Sequence, residues 1–217
     1  MKSKLILILG VILFSVLIVG CSKQNNTKIT SSYISFYYEN ESELDLINEA
    51  IKDIDGLVIN TIKVTNEDKE TYNLNQFPAM LVFVDDLFKE KYLGLTSQEY
   101  RGYLESYVVK ESTKETVETS FNNKETFLLV MGGTYCSWCI KMHHETLPFL
   151  DDRYPVHFLY TDKTFATEEL KSFLNTYGLK YEVSPTIYLI VDGKVKENTV
   201  GYQSVEKLEE FYNKGLD

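Results

Sequence analysis

"PAMLVFVDDLFKEKYLGLTSQE" (residues 78–99) and "PTIYLIVDGKVKENTVGYQSVE" (residues 185–206) align without a gap at an offset of 107 positions. Pro78, Val84, Asp85, Lys89, Glu90, Gly94, Ser97 and Glu99 meet Pro185, Val191, Asp192, Lys196, Glu197, Gly201, Ser204 and Glu206. The physical pattern repeats along with the letters. Each stretch offers a proline, an apolar strand-like run, a turn at Asp85-Asp86 or Asp192-Gly193, a second short strand, and a glycine ahead of a helix. Thr96 and Glu99 form a capping box for the first of these helices, and Ser204 can cap the second. Tyr100, Tyr103, Leu104, Tyr107 and Val108 then share one helical face. The chain reads as a duplicated unit.

Working outward, the upstream halves agree more loosely. "YISFYY" (33–38) and "FLLVM" (127–131) each predict a buried strand, and each is followed by a helix. Leu44, Ile47, Ile51 and Ile54 keep the period of the first helix, and the second begins around Cys139. "LVINTIKV" (57–64) and "VHFLYT" (156–161) predict the next strands. In the second half "TEELKSFLNTYGL" then predicts a helix with Leu170, Phe173, Leu174 and Tyr177 on one side, where the first half has only the shorter "NEDKETYNL". Both halves therefore read β–α–β–(α)–Pro–β–β–α, which implies a parallel strand pair extended by an antiparallel hairpin.

The amino-terminal end has a different character. Lys2 and Lys4 precede an apolar run from Leu5 to Val19 and then "IVGC", the pattern of a secretory signal. The run is also nearly long enough to serve as an uncleaved anchor. Ile18-Val19-Gly20-Cys21 resembles the lipobox of bacterial lipoproteins, which implies cleavage after residue 20 and a lipid on Cys21. Either way the remainder is expected on the extracytoplasmic face of a bacterial cell membrane. The polar stretch 21–31 reads as a flexible tether, leaving 32–110 and 111–217 as two domains. The chain carries 22 basic against 32 acidic residues, a net charge of −10, and two of its lysines lie in the leader. Such a balance excludes nucleic acid as a natural partner and gives no attraction to anionic lipid.

Three cysteines occur in 217 residues, and two of them stand together in "TYCSWC". A structural crosslink, a metal site and a redox centre all fit Cys136 and Cys139 at first sight. A crosslink closing so short a loop would constrain the unfolded chain little. A zinc site could recruit His143 or His144, but it lacks a fourth ligand and a second CxxC. A dithiol at the start of a helix suits redox chemistry best, because the helix terminus favours the thiolate that attacks. Cys136 would then be the attacking thiol, and Cys139, one turn further in, the resolving one. The two histidines read as solvated residues of the same helix.

This order of elements, with CxxC after a strand and "VSPT" (183–186) opening a later one, resembles the thioredoxin fold, well over 112–217 and more weakly over 32–110. The chain is also similar to Gram-positive thioredoxin-like proteins grouped as bacteriocin transport accessory proteins. The resemblance implies an α/β protein of two tandem thioredoxin-like domains, each a mixed sheet flanked by helices. It implies a cis Pro185 against a Cys136–Cys139 disulfide, with Ser184 touching both sulfur and substrate. Tyr135, beside Cys136, is a further candidate substrate contact, and Trp138 reads either as surface packing or as an apolar contact for an unfolded substrate. Pro78 would match Pro185 without a dithiol opposite, since "ENES" (39–42) occupies the place of the CxxC in a redox-inactive first domain. The chain departs from thioredoxins in three places. Tyr135 replaces a tryptophan, Val130 replaces the buried acid that handles the resolving thiol's proton, and Pro148 lies further from the dithiol than the family's proline does. Water or Glu182 would have to stand in for that acid.

The expectation is a membrane-anchored thiol–disulfide oxidoreductase acting on protein cysteines or disulfides. It needs no metal and no cofactor, and a membrane redox partner would reset it. The alternative is a non-catalytic binding or accessory lipoprotein that uses the fold as a scaffold.

Overall fold

The computed structural model describes residues 29–216. The leader, Cys21 and most of the tether lie outside the described residues. The first half runs β1 (Tyr33–Tyr38), α1 (Glu41–Ile51), β2 (Ile59–Lys63), α2 (Asn66–Tyr72), β3 (Ala79–Val84), β4 (Leu87–Leu93) and α3 (Ser97–Tyr107). The second opens with α4 (Lys114–Asn122), then β5 (Phe127–Gly132), α5 (Ser137–Glu145) and β6 (Val156–Tyr160). It closes with a one-turn α6 (Thr161–Thr164), α7 (Thr167–Tyr177), β7 (Thr186–Val191), β8 (Lys194–Val200) and α8 (Val205–Leu216). Helix α4 was not expected from the sequence. Its only fully apolar signal is Val117 and Phe121, one turn apart.

Two mixed four-stranded sheets result, ordered β2-β1-β3-β4 and β6-β5-β7-β8. In each, the first two strands are parallel and the hairpin is antiparallel. The offset of the repeat survives into fine detail. The hairpin ladders slip between Val82 and Phe83 and between Leu189 and Ile190. The Phe77-Pro78 and Ser184-Pro185 bonds are both cis, and Asp85 and Asp192 both take positive φ in the turn. Gly94 N–H donates to the Pro78 carbonyl at 2.9 Å, and Gly201 N–H to that of Pro185 at 2.8 Å. One turn residue differs for a reason. A Cβ on Gly193 would lie 2.3 Å from the Phe121 carbonyl oxygen, because α4 backs this turn, whereas Asp86 fills the same place in the first half.

Strand alternation sends side chains to opposite faces of each sheet. Leu128 and Val130 join Met142, Phe158, Ile187 and Leu208 on one side of the second sheet. Leu129 and Met131 join Val117, Phe121, Phe173 and Ile190 on the other. In the first half Ile34, Phe36, Met80 and Val82 pack under α1 and α3. Ile54 packs there too, but from beyond the end of α1, which stops at Ile51. Tyr37, Leu81 and Phe83 face α2.

The halves are joined by contacts of several kinds. Phe149 and Val205, from the second half, are buried in the first half's core. Asp85 receives the Thr30 hydroxyl at 2.9 Å and the Glu206 backbone N–H at 3.1 Å, which caps α8 from the other half. Tyr202 donates to the Thr30 carbonyl, and Lys141 of α5 donates to Ser31.

Candidate redox site

Strand β5 ends at Gly132, and the loop 133–135 delivers the chain to the start of α5. Cys136 is the N-cap of that helix, and its sulfur accepts the Cys139 backbone N–H at 3.2 Å. A side chain that accepts from the third residue inside a helix satisfies a donor otherwise left over at the terminus. Here sulfur does what an oxygen usually does. The first turn of α5 holds no acidic residue, so the terminus has no competing negative side chain of its own. A thiolate at Cys136 would be the anion that the helix terminus stabilises.

Cys136 is half-buried and Cys139 fully buried. The two are joined as a disulfide with Cα atoms 5.2 Å apart, within the ordinary range for such bonds. Cys139 rests directly on the end of β5. A Cβ on Gly132 would lie 2.9 Å from Cys139 Cβ and 3.0 Å from its sulfur. Only a residue without a side chain lets the dithiol sit this low.

Ser184 and Pro185 lie on the facing loop. The Ser184 hydroxyl would be 4.0 Å from a Cβ on Gly133, which sets it beside the loop leading into Cys136. It is held by a chain of hydroxyls. Ser184 Oγ bonds Tyr181 OH, Tyr181 OH bonds Thr161 Oγ1 at 3.2 Å, and Thr161 Oγ1 bonds the Gly132 carbonyl at 3.0 Å. A carbonyl can only accept, so Thr161 donates to Gly132, Tyr181 to Thr161, and Ser184 to Tyr181. The loop carrying Ser184 is thereby tied to the strand end beneath Cys139. A second brace runs from Asp162, whose carboxylate receives the Thr134 N–H at 3.0 Å and the Thr134 hydroxyl at 2.5 Å. Those bonds, the hydroxyl's first, hold the Asp162 carboxyl below the usual carboxylate range.

The expected contact residues Tyr135 and Trp138 are both on the surface, Tyr135 at 98% exposure and Trp138 at 43%. Trp138 lies 5.6 Å from the Tyr202 ring. These two rings, with Leu87 and Ile29, line a cleft of about 520 Å³ whose lining includes neither cysteine. Its far wall belongs to the first half. Val130 is buried in the core below, and Glu182 is exposed.

The histidines correct the sequence reading. His143 is not solvated: it is 8% exposed, stacked on Phe158 at 4.6 Å. His144 is half-buried. Among the described residues no group of three or more His, Cys, Asp or Glu is arranged to hold a metal ion. Sequence reasoning also missed Gly132, Thr161, Asp162 and Tyr181. No short-range signal marks them, because each acts through a partner 20 to 29 positions away or, for Gly132, through space.

No protein-family model matches the chain. Over 132 residues it is 28% identical to the thiol-disulfide oxidoreductase ResA of Bacillus thuringiensis (strain Al Hakam), a match covering 50% of this chain and 74% of that protein. ResA of Bacillus anthracis matches to the same extent. Among solved structures, the zinc-bound form of human ERp44 is similar with a TM-score of 0.46 and 11% identity, over 85% of this chain and 54% of that one. A mutant thioredoxin from Halobacterium salinarum is similar with a TM-score of 0.35 and 21% identity, over 49% of this chain and 88% of that one. The strand order, the dithiol at a helix start and the likeness to ResA agree with one another, and together they make the chain similar to proteins of the thioredoxin-like superfamily.

Proposed function

We propose that this protein is a thiol–disulfide oxidoreductase acting on protein cysteines, held by a lipid on Cys21 at the extracytoplasmic face of a bacterial membrane. Residues 111–217 form the catalytic thioredoxin-like domain, and 32–110 a second such domain without a dithiol. The observation that carries the reading is Cys136 capping α5 with its sulfur while Cys139 lies buried one turn inside. In the reducing direction the Cys136 thiolate attacks a client disulfide and one client sulfur leaves as thiolate. Cys139 then attacks Cys136, the mixed disulfide breaks, and the second client sulfur leaves. Two electrons pass from the dithiol to the client, and oxidation is the same path reversed. Electrons travel from sulfur to sulfur, so the chemistry calls for neither metal nor organic cofactor. Tyr135, Trp138, Ser184 and Pro185 would hold the client chain against the sulfurs, and a membrane redox partner would reset them.

Two experiments test this. Reduction of insulin by the reduced full-length protein, with a measured reduction potential for the Cys136–Cys139 couple, tests the chemistry. Related CxxC couples span about −270 to −120 mV. A protein that neither reduces insulin nor equilibrates with glutathione would leave the scaffold reading in its place. Fatty-acid labelling of cells expressing the natural chain and Cys21→Ala tests the anchor. Equal labelling of the two would refute it.

A further inference from the structure

We propose that His143 is the base that takes the proton of Cys139 when that thiol resolves a mixed disulfide at Cys136; the idea rests on the redox function proposed above. His143 lies one helical turn beyond Cys139 on the same buried face of α5. Side chains on a helix lean towards its N-terminus, which inclines the imidazole over the turn that carries Cys139. Both residues back onto Phe158. The His143 ring stacks on it, and a methyl placed on Gly132 would touch the Cys139 sulfur at 3.0 Å and Phe158 Cζ at 3.7 Å.

The tautomer follows from one hydrogen bond. Nε2 lies 3.2 Å from the Val109 carbonyl oxygen, which can only accept. Nε2 therefore carries the proton, and Nδ1 of the neutral ring presents a bare lone pair. That Nδ1 is buried and has no hydrogen-bond partner among the described residues. A buried polar atom without a partner is rare enough to need a reason. In the disulfide form Cys139 has no proton to offer. Reduction creates an S–H donor one turn away, and β5 supplies no competing acid because Val130 stands there.

The charged and titratable groups around the ring come from four places. His144 is on α5, Glu111 follows Val109, Asp55 comes from the first half, and Tyr160 comes from β6 with its ring 5.9 Å away. Burial, then His144, push the His143 pKa down, while Glu111, the Val109 bond and Asp55 push it up; the net shift is downward. The ring is thus a neutral base at pH 7. In the resolving step the Cys139 proton moves to Nδ1, and the thiolate so formed attacks Cys136. The Cys136–client bond breaks and the client sulfur departs with the electron pair. The imidazolium returns its proton to the departing thiolate or to solvent.

The test follows the reaction of the reduced full-length protein with an aromatic disulfide that releases thionitrobenzoate, by stopped flow. Attack by Cys136 gives a first phase that scales with reagent, and resolution by Cys139 gives a second that does not. His143→Gln keeps a donor for the Val109 carbonyl but cannot accept a proton. We expect it to slow the second phase by about tenfold or more near pH 7, with the first phase within about twofold. His143→Phe, which keeps the stack on Phe158, should behave alike. In the natural protein the second phase should level off once Nδ1 is deprotonated, below the pKa of an ordinary thiol. In the variants it should climb until the thiol itself ionises. Folded variants with an unchanged second phase would overturn the proposal. So would a natural protein whose second phase climbs without levelling, a result that needs no variant. Absence of any second phase in the natural protein would instead sink the redox reading itself, and the role of His143 with it.

Discussion

The two halves of this chain start the helix that follows their first strand in the same way with different atoms. In the first half Asn40 is the N-cap of α1, and its side-chain oxygen accepts the Glu43 N–H at 3.2 Å. In the second half Cys136 caps α5, and its sulfur accepts the Cys139 N–H at 3.2 Å. Matched cap to cap, Asn40–Glu43 stands where Cys136–Cys139 stands, one residue along from the "ENES" read off the sequence. The first half fills its helix terminus with Glu41 and Glu43, negative charges that the dipole welcomes. The second half leaves its terminus without an acid. A stabilising device in one half is thus open, in the other, to a charge that appears only when the disulfide is reduced.

The largest expected effect tests that difference directly. Cys136→Ser should abolish thiol exchange at the dithiol, since Cys139 is buried. Cys139→Ser should instead accumulate covalent client adducts at Cys136, visible on non-reducing gels and lost with reductant. Equal trapping by both variants would mean that the roles assigned to the two sulfurs are wrong.

A smaller effect concerns what lies beneath the helix. Strand β5 ends in Gly132, whereas β1 ends in Tyr38 at the matching place, with no dithiol above it. Gly132→Ala would force a Cβ to within 3.0 Å of the Cys139 sulfur. We expect about 1–3 kcal/mol of lost stability from overpacking, together with slower resolution by Cys139. Tyr38→Ala should leave exchange untouched. A Gly132→Ala protein with natural stability and kinetics would show that the close seat of Cys139 has no consequence.

Smaller again is the cap of the first half. Asn40→Ala removes the Glu43 N–H partner at an exposed helix end and should cost about 0.5–2 kcal/mol in urea unfolding. Exchange by Cys136 should not change. A parallel loss of redox activity would contradict the division of labour between the halves.

Much of this architecture was legible because duplication writes the same physics twice. The hairpin, its bulge-bearing strands, both prolines and the glycines after β4 and β8 fall at the offset that "PAMLVFVDD" and "PTIYLIVDG" announce. The dithiol and its place at a helix start were legible too, because spacing and chemistry coincide there. Helix α4 was not, since two apolar residues one turn apart are too weak a period to stand out from a loop. His143 was misjudged although a signal existed. Cys139, Met142 and His143 stand at i, i+3 and i+4, the spacing of one buried face, and the polarity of the imidazole masked it. Tyr181, Thr161 and Asp162 carried no signal, since their partners are set by the sheet bringing distant residues together.

The smallest expected effect lies in how each half steadies the loop between its first strand and the helix that follows. In the first half Lys69 of α2 pairs with Glu39, an exposed ion pair that salt will screen. In the second half Asp162 of α6 receives the Thr134 N–H and hydroxyl, two residues before Cys136. Those hydrogen bonds favour the ionised carboxylate and lower its pKa in the folded protein. A carboxyl with a lowered folded pKa contributes stability that is fully present above its unfolded value of about 3.9. That contribution is lost as pH falls through the lower folded value. The loop should therefore stay braced from neutral pH down to about pH 4 and loosen only in stronger acid. The Thr134 amide resonance reports this directly, and it should titrate with a midpoint below that of a free aspartate. In Asp162→Asn the titration should vanish, while high salt should weaken the Lys69–Glu39 brace and leave the Thr134 signal in place. A Thr134 amide that titrates at or above the ordinary aspartate value would mean that Asp162 does not hold this loop. The two halves would then differ at the dithiol but not in how the approach to it is secured.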